Sequence, residues 1–269
     1  MTITRRSTRL PLRVRALSTM TLVVTVLATG LTVGSSGAAA RLSPAPAVGA
    51  CVPRLDSIPV NAVSGELVTV LAPTTSSRRA TLDLYRRSAG CWRRALGPYP
   101  AFVGVNGLSS HHREGDGTTP TGLFAFGATM YGALTNPGVA YRYHRLTCGD
   151  WWNENPRSGL YNEFVHVACG VTPDFARGSE ALWTEVPAYD YFAVIDYNTD
   201  PVVDGRGSGI FLHVSHGAAT TGCVSIGRSH LVAVLQMLLP SLHPTILITT
   251  TAGFDQLRRP GTSASRASS

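Results

Sequence analysis

The sequence predicts a mainly β domain, sandwich-like in architecture, with a single clear helix, rather than an alternating α/β fold. Two observations predict it. Short apolar, β-branched segments recur between turns rich in glycine and proline, and only one stretch carries helical periodicity.

In chain order, "ELVTVLAP" (Glu66–Pro73) is β-branched and bounded by Gly65 and Pro73, which reads as a strand. "ATLDLYRRS" and "GCWRRAL" flank Gly90 and read as a hairpin, and "AFVGVNG" reads as a further short strand. "REGDGTTPTGLFAFG" is punctuated by glycine and proline before extended structure resumes at Gly122. "YDYFAVIDYN" (Tyr189–Asn198), aromatic and β-branched, is the strongest strand, and "GSGIFLHV" follows it. "GRSHLVAVLQMLLP" places Leu231, Val234, Leu235 and Leu238 on one helical face, with Ser229 as the expected N-cap and Pro240 as the stop. "HPTILITT" closes the domain with a strand.

The ends of the chain carry different signals. "MTITRRSTRLPLRVRA" holds five arginines and no acid. An apolar run diluted by threonine and glycine follows, then "SSGAAAR". That order predicts a secretory signal over residues 1–40, cut after Ala40, with an uncleaved membrane anchor as the alternative. Residues 41–60 read as a linker or irregular lead-in, 61–252 as one catalytic-size domain, and 253–269 as a polar disordered tail. The formal charge of +7 falls to +2 without the five leader arginines, so the basicity belongs to export and not to a nucleic-acid surface. Membrane contact is expected only through an uncleaved leader, and the domain reads as a monomer.

Five cysteines in an exported chain leave one over. Cys148 and Cys169 bracket a turn-rich segment, and Cys51 and Cys91 can tie the start of the domain to its second strand, although other pairings remain open. The favoured pairing frees Cys223. This residue lies in "TTGCVSI", among small side chains, where Gly222 permits close approach of a substrate and leaves backbone N–H groups able to stabilise an oxyanion. A thiolate is the reactive species, and an imidazole can take its proton. Two histidines lie upstream. His213 ends a strand, which fixes a side chain as general-base work requires, whereas His216 sits in a loop, so His213 is the preferred base.

Thr119-Pro120-Thr121-Gly122-Leu123-Phe124, the apolar strand ending in His213, and Thr220-Thr221-Gly222-Cys223 occur in the order and spacing of the L,D-transpeptidase catalytic domain of YkuD type, which the chain resembles over most of residues 60–250. The resemblance implies an exported cysteine acyltransferase of the cell wall, acting on peptidoglycan stem peptides without metal or cofactor. It implies Cys223 as nucleophile, His213 as general base and acid, and backbone N–H groups at Gly222 and Cys223, with Thr221, at the oxyanion. Hydrolysis in place of amine transfer would make the enzyme an L,D-carboxypeptidase. The sequence departs from the family at Thr221, where many members have histidine, at Ser225, where arginine or asparagine is usual, and in a His213–Cys223 interval of ten residues, shorter than in many members. A cell-wall cysteine hydrolase of NlpC/P60 kind and a non-catalytic wall-binding module are the competing readings.

Trp152 and Tyr161, in the segment between Cys148 and Cys169, together with His216 and Ser225, are the candidate substrate contacts. His111-His112 lacks metal-ligand spacing and reads as a surface loop. Asp174, Glu180 and Glu185 have no evident partners and are expected to face water. The sequence holds no paired Cys/His metal pattern, phosphate-binding glycine loop or basic-aromatic stripe for nucleic acid.

Overall fold

The computed structural model describes residues 50–53, 55–60 and 64–259. The expected leader and the last residues of the expected tail lie outside this set.

The domain is mainly β, as the sequence implies. The first strands form a meander: β1 (Glu66–Ala72), β2 (Arg79–Ser88) and β3 (Cys91–Phe102) pair antiparallel in succession. Of the segment read as a separate strand at 101–107, Ala101 and Phe102 end β3, and the rest is a turn with one isolated bridge from Gly104 to Thr220. Two short strands follow, β4 (Leu108–Ser109) and β5 (Thr119–Pro120), and then the long β6 (Gly122–Gly132) with β7 (Arg142–Arg145) beside it. A small antiparallel sheet comes next, built from β8 (Asp150–Asn153), β9 (Glu163–His166) and β10 (Glu180–Ala181). The chain returns to the main sheet through β11 (Phe192–Ile195), β12 (Phe211–Val214) and β13 (Val224–Ile226). It then forms helix α1 (Arg228–Met237), strand β14 (Thr245–Thr250) and helix α2 (Thr251–Leu257).

The main sheet has the order β11-β12-β13-β3-β2-β1-β14-β6-β7, with a further pairing of β11 to β6. That pairing, Phe192 to Tyr131 and Ala193 to Met130, joins the two ends of the sheet. The layout is therefore one mixed sheet closed on itself, where the sequence suggested a sandwich. The eleven residues of β6 make closure possible, because its first half pairs with β14 and its second half with β11 and β7. Closure covers the free edge of β11, while β7 remains as the strand at the other end of the order. Val68, Val70, Leu82, Leu84, Leu212, Val224 and Ile248 point into a common core, and α1 packs Leu231, Val234 and Leu235 against it.

Three local readings change. The Leu231 N–H bonds to Gly227 O at 2.9 Å, so α1 starts after Gly227, and Ser229 lies inside the first turn instead of capping it. The strand expected over 189–198 is confined to Phe192–Ile195, because Ala188–Asp190 forms a turn with Tyr189 N bonded to Glu185 O. The expected tail at 253 begins with ordered structure: Thr250 Oγ1 accepts from Gly253 N at 3.0 Å and starts α2, whose Phe254 is buried with Leu55, Trp92 and Leu247. The lead-in is likewise packed at Leu55 and Ile58. Both favoured disulfides, Cys51–Cys91 and Cys148–Cys169, are present, and Cys223 is free.

Candidate active site

Alternation along β12 and β13 builds the site. Leu212, Val214, Val224 and Ile226 face the core, so Phe211 and His213 on β12, and Cys223 and Ser225 on the neighbouring segment, face the other way. The two strands run parallel with Leu212 opposite Val224 and His213 opposite Ser225. Candidate nucleophile, candidate base and serine thus share one surface.

The loop before β13 is fixed from the Thr119–Gly122 segment upstream. Thr119 Oγ1 accepts from Gly104 N at 2.8 Å and donates to Cys223 O at 3.2 Å, and Thr220 Oγ1 donates to the same carbonyl at 2.6 Å. The Thr-Pro-Thr-Gly motif therefore holds the Cys223 backbone through its first hydroxyl. The Gly222 N–H is taken by Thr220 Oγ1 at 3.2 Å. Among the described residues no hydrogen bond outside the strand ladders engages the N–H groups of Thr221 and Cys223, which leaves both as candidate oxyanion donors.

Cys223 is only 8% exposed. Its Sγ donates to Gly209 O at 3.2 Å and accepts from Phe211 N–H at 3.3 Å. Burial pushes the thiol well above its ordinary value, and the carboxylates of Glu180 and Glu154 push in the same direction. His213 is equally enclosed, packed edge-on against Tyr189, with Nδ1 bonded to Val214 O at 2.9 Å. Nδ1 must carry the proton to make that bond, which leaves the Nε2 lone pair available. Burial lowers the imidazole to about 4, with His216 adding a small repulsion. At neutral pH the site therefore rests as thiol and neutral imidazole, not as a thiolate–imidazolium pair.

A cleft opens on both sides of Cys223. One chamber, of about 290 Å³, is lined by His213, His216, Tyr189, Thr221 and Ser225. A second, of about 270 Å³, is lined by His112, Glu114, Glu154 and Gly222. Glu180, Thr221 and Cys223 belong to both. His216 is exposed at the rim, consistent with its place in a loop.

Several of these residues escaped the sequence reading. His112 is buried, not a surface residue, with Nδ1 3.0 Å from Thr118 Oγ1. Glu180 faces the cleft and not bulk water, bonded by the Tyr189 hydroxyl, while Asp174 and Glu185 are exposed as expected. Glu114 accepts from the Tyr161 hydroxyl and from Ser208 Oγ at 2.6 Å. Two glycines permit these approaches. Gly207 (φ +106°) and Gly209 (φ +63°) adopt backbone that side chains rarely tolerate, and a Cβ on Gly209 would lie 2.0 Å from Glu154 Oε1.

Trp152 and Tyr161 line neither chamber. Trp152 is buried edge-on against Phe211, with Nε1 donating to Asn162 Oδ1 at 3.0 Å. Tyr161 is 2% exposed and holds Glu114 and Gly207 N. Both anchor the small sheet to the main one, so they shape the cleft from behind. The described residues contain no group of histidine, cysteine and acidic side chains arranged to hold a metal.

No curated protein and no solved structure matched the chain. The family model for the YkuD L,D-transpeptidase catalytic domain matches residues 76–248, which spans β2 to β14 and includes His213 and Cys223. A match over more than half the chain, centred on this cleft, places the protein in the L,D-transpeptidase catalytic domain family.

Proposed function

We propose that the protein is an exported cysteine acyltransferase that joins peptidoglycan stem peptides. The observation that carries this reading is the placement of Cys223 and His213 on one face of β12 and β13, in one cleft, with the imidazole neutral. His213 Nε2 accepts the thiol proton as Sγ attacks the carbonyl of the third stem residue. The N–H groups of Thr221 and Cys223 hold the oxyanion, each donor worth roughly 3 kcal/mol in the transition state. Collapse breaks the amide bond, and His213 returns its proton to the departing D-alanine amine. The amine of a second stem then attacks the thioester and gives its surplus proton to His213. The thiolate leaves, recovers that proton, and a 3→3 cross-link remains. If water replaces the amine, the same steps give an L,D-carboxypeptidase.

The local fold supports this reading over an NlpC/P60-type hydrolase, whose cysteine opens a helix and precedes its histidine. Here Cys223 precedes a strand and follows His213, and α1 begins only at Arg228. The two disulfides suit an oxidising compartment and support a cell-envelope location.

Intact-mass measurement after incubation with a carbapenem, which acylates cysteines of this family, tests the reading. An adduct on the wild type and none on Cys223→Ala is the expected result. A wild type that stays unmodified under the same conditions refutes it. A tetrapeptide donor supplied with and without an acceptor amine separates cross-linking from trimming.

A further inference from the structure

We propose that His112, held by Asp116 and Thr118, is a second base of the cleft, which takes the proton of a water molecule that hydrolyses the acyl-enzyme; this rests on reading Cys223 as the acyl carrier. Among the described residues His112 and His213 are the two buried histidines. They line different chambers, and Cys223 belongs to both. The ring of His112 is wedged against the loop that carries Cys223. A Cβ on Gly207 would lie 2.3 Å from its Nε2, and one on Gly222 would lie 3.7 Å from its Cε1. Glycine at 207 is therefore what admits an imidazole here.

The partners of the ring place its proton. Thr118 Oγ1 donates to Asp116 Oδ1 at 2.7 Å, so it accepts from His112 Nδ1 at 3.0 Å, and Asp116 Oδ1 lies 3.0 Å from the same nitrogen. Nδ1 therefore carries the hydrogen, and Nε2 keeps its lone pair on the chamber side. Burial pushes the Asp116 carboxyl up, but the donors of Thr118 and Arg113 outweigh it and hold the group ionised. Burial lowers the imidazole, against the pull of Asp116 and Glu114, so at neutral pH it is in the neutral form that a base requires. A carboxylate on one nitrogen fixes the ring and stabilises the imidazolium that forms when the other takes a proton.

Water needs such a base more than an amine does. A free amine attacks a thioester unaided and sheds its proton afterwards, whereas water becomes a good nucleophile only as its proton departs. Water held at His112 Nε2 gives that nitrogen a proton as its oxygen joins the thioester carbonyl carbon. The C–S bond breaks, the peptide leaves as a carboxylic acid, and the Cys223 thiolate takes the proton back from His112. The bonds made and broken match those of transfer to an amine, and only the route of the proton differs. It runs through the chamber that His213 does not line.

The test loads a stem tripeptide onto the full chain from its thiobenzyl ester, with no acceptor amine, and follows the adduct by intact mass. Formation and decay are timed for wild type, His112→Ala and Asp116→Asn. His112→Ala should slow decay at least about tenfold more than it slows formation, and Asp116→Asn should do the same to a smaller degree. Hydroxylamine, which needs no base, should discharge the wild-type and His112→Ala adducts at similar rates. Decay slowed no more than formation overturns the proposal, as does a wild-type adduct that persists in water. Equally slow discharge of His112→Ala by hydroxylamine also overturns it, because the loss is then one of cleft shape. If His112→Ala does not fold, Asp116→Asn carries the comparison alone, and an unchanged ratio of decay to formation overturns the proposal. A wild type that forms no adduct refutes the acyl-carrier reading itself, and this inference falls with it.

Discussion

The thiol of Cys223 is hydrogen-bonded to the carbonyl of Gly209, at 3.2 Å, and no hydrogen bond joins it to His213. The candidate nucleophile therefore rests protonated against the backbone leading into β12. Alkylation of Cys223 by iodoacetamide should rise steadily with pH through the neutral range and above it. A plateau at neutral pH, the mark of a preformed ion pair, would contradict this resting state.

The two histidines should separate cleanly in activity. His213 is buried and has Nε2 free, while His216 stands exposed at the rim. His213→Ala should lower the acylation rate by about 10²–10⁴-fold, the range of a lost general base. His216→Ala should change it by less than about tenfold. The rate of adduct formation by mass spectrometry checks both, and the reverse order would name His216 as the base.

Acid should destabilise the fold partly through His213. Its folded value is lowered to about 4 against an ordinary 6.5, so between these limits the unfolded chain binds the proton and the folded one does not. Stability from this group is therefore intact above pH 6.5, falls as pH drops towards 4, and loses up to about 3 kcal/mol there. Thermal melts of wild type and His213→Asn over this window should converge or cross as pH falls. Parallel curves would refute the assignment.

Ser225→Ala should raise the unfolding free energy or leave it unchanged, by about 0–1 kcal/mol, because it removes a buried hydroxyl that bonds to nothing. Most core substitutions destabilise, so the sign is diagnostic. Urea unfolding reads it directly, and a loss above about 1 kcal/mol would mean the hydroxyl has a structural partner.

Opening the Cys148–Cys169 bond with a double serine substitution should cost about 3 kcal/mol, the entropy of closing a loop of 21 residues. The small sheet that this bond closes carries Trp152 and Glu180 and leads directly into Glu154. Carbapenem acylation should therefore fall along with the melting temperature. Unaltered acylation would show that the cleft wall holds without the bond.

The central pair was legible because it is local. His213 and Cys223 lie ten residues apart, and strand alternation alone puts His213 on the opposite side from Leu212. The acidic chamber was not, because Glu114, Glu154 and Glu180 converge only when the small sheet docks through Trp152, Tyr161 and Asn162. No periodicity in one segment reports that docking. Closure of the main sheet was hidden for the same reason, since it depends on Phe192 meeting Tyr131 across the four strands that separate β6 from β11 in the chain. α2 escaped because a lone Phe254 beside Gly253 makes a weak helical pattern, and its real determinants are the Thr250 cap and the packing of Phe254 with Leu55 and Trp92.

Enclosure of the Cys223 sulfur has a further consequence, for the lifetime of the molecule. Oxidation to sulfenic acid and beyond follows thiolate character and access to peroxide, and this buried sulfur offers little of either. Exchange with the two disulfides needs the same anion and is suppressed with it. Burial thus preserves this side chain, so that a protein held together by two disulfides keeps its free thiol reduced.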